Sequence, residues 1–137
     1  MKQLKKGSKR KSLPKLKAEL QKVFNEFIRL RDAGLPCISC GKHNTLQAGH
    51  FFPVKMYDGL RFDEFNVNGE AACCNCFNEA HLIYYAINLK KKIGEEEFDK
   101  LYERAAEYKK FGYKWSRTEL EEKLIYYKEK VNQLKQN

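Results

Sequence analysis

A chain of 137 residues with 42% hydrophobic content can bury one modest core, so one compact domain with helical extensions is expected. Its 27 Lys/Arg against 18 Asp/Glu leave a net charge of +9 and a pI near 9.3, which points to a polyanionic partner, nucleic acid before others. No apolar run is long enough for a bilayer span and none follows the N-terminal lysines, so no membrane contact and a cytoplasmic setting are expected.

Residues 1–12 carry six Lys/Arg and almost nothing apolar, the composition of a basic arm set apart from the domain at 13–137. From Leu13 the apolar positions Leu16, Leu20, Val23, Phe27 and Leu30 recur in steps of three and four. That is one stripe along a helix that starts with Pro14 in its first turn and ends near Gly34 and Pro36. Residues 35–65 hold short apolar pieces between Gly34, Gly41, Gly49, Gly59, Pro36 and Pro53, a pattern of short strands and a hairpin. A helix is expected from about Asn75 to Lys92, stopped at Gly94. Glu95-Glu96-Glu97 opens the next, with Phe98, Leu101, Ala105 and Tyr108 on its buried side, broken at 111–115. Ser116 to Glu119 forms a capping box for a last helix striped by Leu120, Leu124, Tyr127, Val131 and Leu134. The first and last stripes suit packing on each other; the competing use is a homodimer through the same stripes.

The cysteines point to a metal. All five fall in two clusters, Cys37 with Cys40 and Cys73-Cys74 with Cys76, and an odd number leaves a disulfide framework with one thiol over. Two thiolate clusters about thirty residues apart read as one structural zinc site that takes four of the five thiols. Between them stands Gln47-Ala48-Gly49-His50-Phe51-Phe52-Pro53. A histidine beside a bound divalent cation can take the proton from water that attacks a phosphodiester.

This stretch resembles the phage NinG family of the HNH, or ββα-metal, endonucleases. The likeness runs through Phe27-Ile28-Arg29, Leu35 to Gly41, Ala48-Gly49-His50, Leu60-Arg61-Phe62, Glu64, Asn66 and Cys74-Asn75. It continues through Leu82, Tyr85 and Leu89 to the elements at Lys92 to Glu96 and Lys114 to Ser116. The resemblance implies an α+β fold: a zinc-stapled ββα core (about 35–93) flanked by an N-terminal helix and by the helical part at 95–137. It also implies a metal-dependent DNA endonuclease of phage or prophage origin, working in the bacterial cell on branched recombination intermediates. On the family pattern His50 is the general base, and Asn66 braces the loop and orients it. Asn75 then holds a catalytic Mg²⁺ or Mn²⁺, with His81 as a further ligand or phosphate contact. Lys5, Lys6, Lys9, Arg10 and Lys11 of the arm, with Arg61, are the candidate nucleic-acid contacts.

Three positions depart from that pattern. Ala71 stands where the family has its third zinc cysteine, so Cys73 or Cys76 has to replace it beside Cys74. Gly49 precedes the histidine where many HNH enzymes have a metal-binding side chain, with Gln47 nearby, and Asn68 stands where some relatives have His. These departures carry the alternative reading, a non-catalytic zinc-containing DNA-binding module derived from such a nuclease.

Overall fold

The computed structural model describes residues 10–77 and 81–137, without the side chains at 76 and 77. Helix α1 (Leu13–Arg31) is followed by strand β1 (Leu46–His50), a 3₁₀ turn (Asp58–Leu60) and strand β2 (Val67–Ala71). Helices α2 (Ala72–Phe77), α3 (His81–Ile93), α4 (Glu95–Phe111) and α5 (Arg117–Gln136) complete it. The fold is α+β, with few strands: the two pair antiparallel in one hairpin, Gln47 opposite Glu70 and Gly49 opposite Asn68.

Local chemistry sets the helix ends. Ser12 caps α1, its hydroxyl accepting from the Lys15 N–H at 3.4 Å, and Pro14 occupies the first turn, where a missing N–H costs nothing. At the start of α5, Ser116 and Glu119 satisfy each other's backbone N–H in a capping box.

The stripes of α1 and α5 meet within the chain. Leu16, Leu20, Phe24, Phe27 and Ile28 pack with Leu120, Leu124, Tyr127 and Val131; Phe62 and Val67 close this core from the hairpin, and Trp115 from the segment before α5. The expected stripe is buried at Leu16, Leu20 and Phe27, with Phe24 and Ile28 widening it on one side, whereas Leu13 is exposed. A second core under α3 and α4 gathers Ile38, Phe51, Leu60, Tyr85, Leu89, Leu101 and Ala105.

Two boundaries differ from the expected ones. The second strand lies at 67–71, past the 35–65 segment, and all five of its residues are buried although three of them are Asn68, Gly69 and Glu70. The helix expected at 75–92 appears as α2 and α3, with residues 78–80 outside the described chain and Asn75 inside α2 instead of at a helix start. Among the described residues, no helix is long and apolar enough to cross a membrane.

Candidate metal-dependent site

The first half of the site is a thiolate cluster. Gly41 has φ +74°, a conformation that suits a residue without a Cβ, and it lets the chain fold back so that the Cys37 N–H reaches the Lys42 carbonyl at 2.9 Å. This turn and the start of α2 bring the sulfurs of Cys37, Cys40 and Cys74 within 4.8 Å of one another. Burial opposes ionisation of Cys37, but the N–H groups of Ala71, Cys40 and Ser39 aimed at its sulfur outweigh it and hold the thiol below its ordinary pKa. Cys74 moves the other way, pushed up by burial and then by its Cys40 and Cys37 neighbours. Three sulfurs so close cannot all ionise cheaply without a cation among them, and soft thiolates suit zinc.

Ala71 is buried beside Cys37, Leu46 and Cys74, its N–H 3.2 Å from the Cys37 sulfur, and its methyl offers no ligand. Cys73 is exposed and lies outside the group of three, and the side chain of Cys76 is outside the described residues. The described thiols therefore provide three ligands and leave the fourth unassigned.

The second half is a pocket of about 330 Å³ at the end of the hairpin, lined by His50, Asn75 and His81 among others. His50 ends β1 and is half-buried. Its Nε2–H donates to the Arg61 carbonyl at 3.0 Å, so Nδ1 is the ring atom left with a lone pair. Burial, the largest influence, and the Arg61 charge lower its pKa, against the opposing hydrogen bond to the Arg61 carbonyl. The neutral ring is favoured. Tyr85, fully buried, donates its hydroxyl to the Gly49 carbonyl at 2.7 Å and so fixes the backbone just before His50.

Asn66 is fully buried and braces the loop after His50. Its Oδ1 accepts from the Phe52 N–H at 2.8 Å, and its Nδ2 donates to the carbonyls of Phe52 (3.1 Å) and Leu60 (3.2 Å). Leu60 immediately precedes the residue whose carbonyl holds His50. Asn66→Ala orphans a buried N–H and two carbonyls, and is expected to cost on the order of 3 kcal/mol of stability. Urea unfolding measures this; a midpoint equal to wild type refutes the bracing.

Asn75 donates through Nδ2 to Gln47 Oε1 at 3.4 Å, which leaves Oδ1 as the acceptor it can offer to an ion. Gln47 thus touches the site through Asn75. His81 Nδ1 lies 2.5 Å from Glu70 Oε2 and 3.2 Å from Ser39 Oγ. Asn68 belongs elsewhere: buried, it donates to the Phe65 carbonyl and the Tyr85 hydroxyl and accepts from Lys92 at 2.8 Å.

Arg61 also serves the site through its backbone. Its carbonyl orients His50, while its guanidinium is tied to Asp58 (2.7 Å) and Gln21 (3.2 Å). Of the arm, Arg10 and Lys11 are exposed, Lys11 pairs with Glu19, and Lys5, Lys6 and Lys9 lie outside the described residues. A larger cleft of about 780 Å³ contains Arg31, Lys92, Arg104 and Lys123, with Asp32 paired to Arg31 and Lys92 and Asp63 to Arg104.

Glu70 escaped the sequence reading. The only signal for it was a polar Asn-Gly-Glu run between the two cysteine clusters, which alone reads as loop. Gly49 explains its place. A Cβ at position 49 would collide with Glu70 Oε1 and approach Glu70 Cβ to 2.9 Å, so the glycine leaves the room that the glutamate fills.

Comparison with known proteins places this chain in a family. The profile described as "Bacteriophage Lambda NinG protein" matches residues 1–137. The chain is similar to "Protein ninG" of Escherichia phage 933W, 39% identical over 85 residues that cover 61% of this chain and 42% of that protein. The proteins of the same name from Escherichia phage lambda and Salmonella phage P22 are each 38% identical over the same shares. The matched stretch thus spans less than half the length of these curated relatives. No solved structure matches the chain.

Proposed function

The chain belongs to the NinG family, and we propose that it is a metal-dependent DNA endonuclease of HNH type. The observation that carries this reading is the single pocket lined by a tautomer-fixed His50, Asn75 and His81 at the end of a β-hairpin. Branched recombination intermediates are the substrate class that the resemblance implies.

The donor set suits two kinds of ion. Three sulfurs within 4.8 Å fit zinc in a structural role, and the Asn75 oxygen with a His81 nitrogen fits a hard divalent ion such as Mg²⁺ or Mn²⁺. Such an ion, when bound, supplies positive charge to the scissile phosphate and to the departing oxygen.

The chain's own residues do the rest. His50 Nδ1 takes a proton from water as the water oxygen bonds to phosphorus and the phosphorus–oxygen bond of the leaving strand breaks. His50 then returns the proton to solvent, and the leaving oxygen is protonated from solvent. Arg61 and Tyr85 hold His50 in place, the first through the ring and the second through the backbone. Lys and Arg on the surface attract the phosphate backbone without reading sequence.

Incubation with supercoiled plasmid and Mg²⁺ or Mn²⁺ tests the reading. Nicked and linear products that vanish with chelator are expected. Salt-sensitive DNA binding with no cleavage under any divalent ion refutes it and favours the non-catalytic zinc-containing DNA-binding module, a reading supported by Ala71 in the thiolate cluster.

A further inference from the structure

We propose that Glu70 is a positioning residue for the divalent-ion pocket: it holds His81 by Nδ1 and so makes Nε2 the ligand nitrogen offered beside Asn75. The inference rests on the metal-dependent reading above and deepens it.

Glu70 is fully buried. Its Oε2 faces His81 Nδ1 at 2.5 Å and also accepts the Ser39 hydroxyl. Its Oε1 is buried and, among the described residues, meets no hydrogen-bond donor. A carboxylate with one oxygen left bare in the interior is a poor choice for stability, since an apolar side chain of similar volume avoids that penalty. Stability therefore gives no reason for a glutamate here; the histidine does.

The protons follow from the acceptors. Glu70 Oε2 already accepts the Ser39 hydroxyl, so the same oxygen is the acceptor toward His81 and Nδ1 the donor. The lone pair is then on Nε2. His81 lines the pocket with His50 and Asn75, and also the one beside Ser39, Cys40 and Cys74, and with Nδ1 engaged Nε2 is its nitrogen left for an ion. A carboxylate behind a ligating histidine fixes its tautomer and orientation and raises its basicity.

The same network reaches the thiolates. Ser39 sits between Cys37 and Cys40, is buried, and touches both Glu70 and His81. The geometry of the cysteine turn thereby supports the carboxylate that supports the histidine. Gly49 completes the device by leaving the space in which Glu70 lies.

The test uses the zinc-loaded full chain and Mn²⁺ as probe. Affinity is read by electron paramagnetic resonance titration, without DNA. Glu70→Met keeps the volume and removes the acceptor; it should melt near the wild-type temperature yet bind Mn²⁺ about 10- to 100-fold more weakly. Glu70→Gln, which retains an acceptor oxygen, should recover most of the affinity. In a His81→Ala background Glu70→Met should have no further effect. In the wild-type protein, histidine ¹⁵N shifts should show His81 protonated on Nδ1, a readout that needs no variant to fold. Unchanged affinity in Glu70→Met, an equal loss in both backgrounds, or an Nε2-protonated His81 overturns the role of Glu70 and leaves the nuclease reading standing. Absence of saturable Mn²⁺ binding by the wild-type protein overturns both.

Discussion

Cys37→Ser should abolish zinc binding at the thiolate cluster and destabilise the zinc-loaded chain by on the order of 5 kcal/mol, because metal-binding energy at a structural site is folding energy. Cys37 is the best ligand of the cluster: three backbone N–H groups stabilise its thiolate, and it is packed against Leu46, Ala71 and Cys74. Without the ion, Cys40 and Cys74 no longer share a partner, and the turn that carries Ser39 loosens. Ala71→Cys should act in the opposite direction, because Ala71 is buried beside Cys37 and Cys74. Zinc content by metal analysis and melting with and without chelator check both variants. Equal zinc content and equal melting in wild type and Cys37→Ser refute the site.

The second large effect is catalytic. His50→Ala should lower cleavage by about a hundred- to ten-thousand-fold, the usual loss when a general base is removed. The ring makes one hydrogen bond, to the Arg61 carbonyl, so the fold should survive. The pH dependence has a definite sign. Protonated His50 cannot accept a proton, so the rate falls as pH drops through its folded pKa. Burial moves that pKa down, and the acid limb should lie below the ordinary histidine value of 6.5. An acid limb above that value contradicts a buried His50 as base.

Legibility tracked how local each feature is. The Cys37–Cys40 turn could be read directly because both ligands and the permissive Gly41 are contiguous. The faces of α1, α4 and α5 followed from spacing, since a helical stripe depends only on near neighbours; on α1 the stripe omitted Phe24 and Ile28, which widen the buried face. Strand β2 was hidden because Asn68 and Glu70 look like loop residues. Their burial is tolerable only through partners remote in sequence, Lys92 and Tyr85 for one, Ser39 and His81 for the other. Gly49 read as a missing ligand, and the collision its Cβ would make with Glu70 exists only once the strands are paired. Arg61 read as a phosphate contact because a guanidinium is the visible group in a sequence; its carbonyl, which holds His50, leaves no compositional trace.

The central claim is that His50 and Asn75 serve one pocket in different roles, base and ion ligand. Plasmid cleavage by wild type, His50→Ala and Asn75→Ala across a Mn²⁺ titration tests it most directly. Rising Mn²⁺ should partly restore Asn75→Ala, whose defect is ion affinity, and leave His50→Ala inactive, because added metal does not replace the proton acceptor. Wild-type cleavage by well-purified His50→Ala, at any Mn²⁺ concentration, contradicts it.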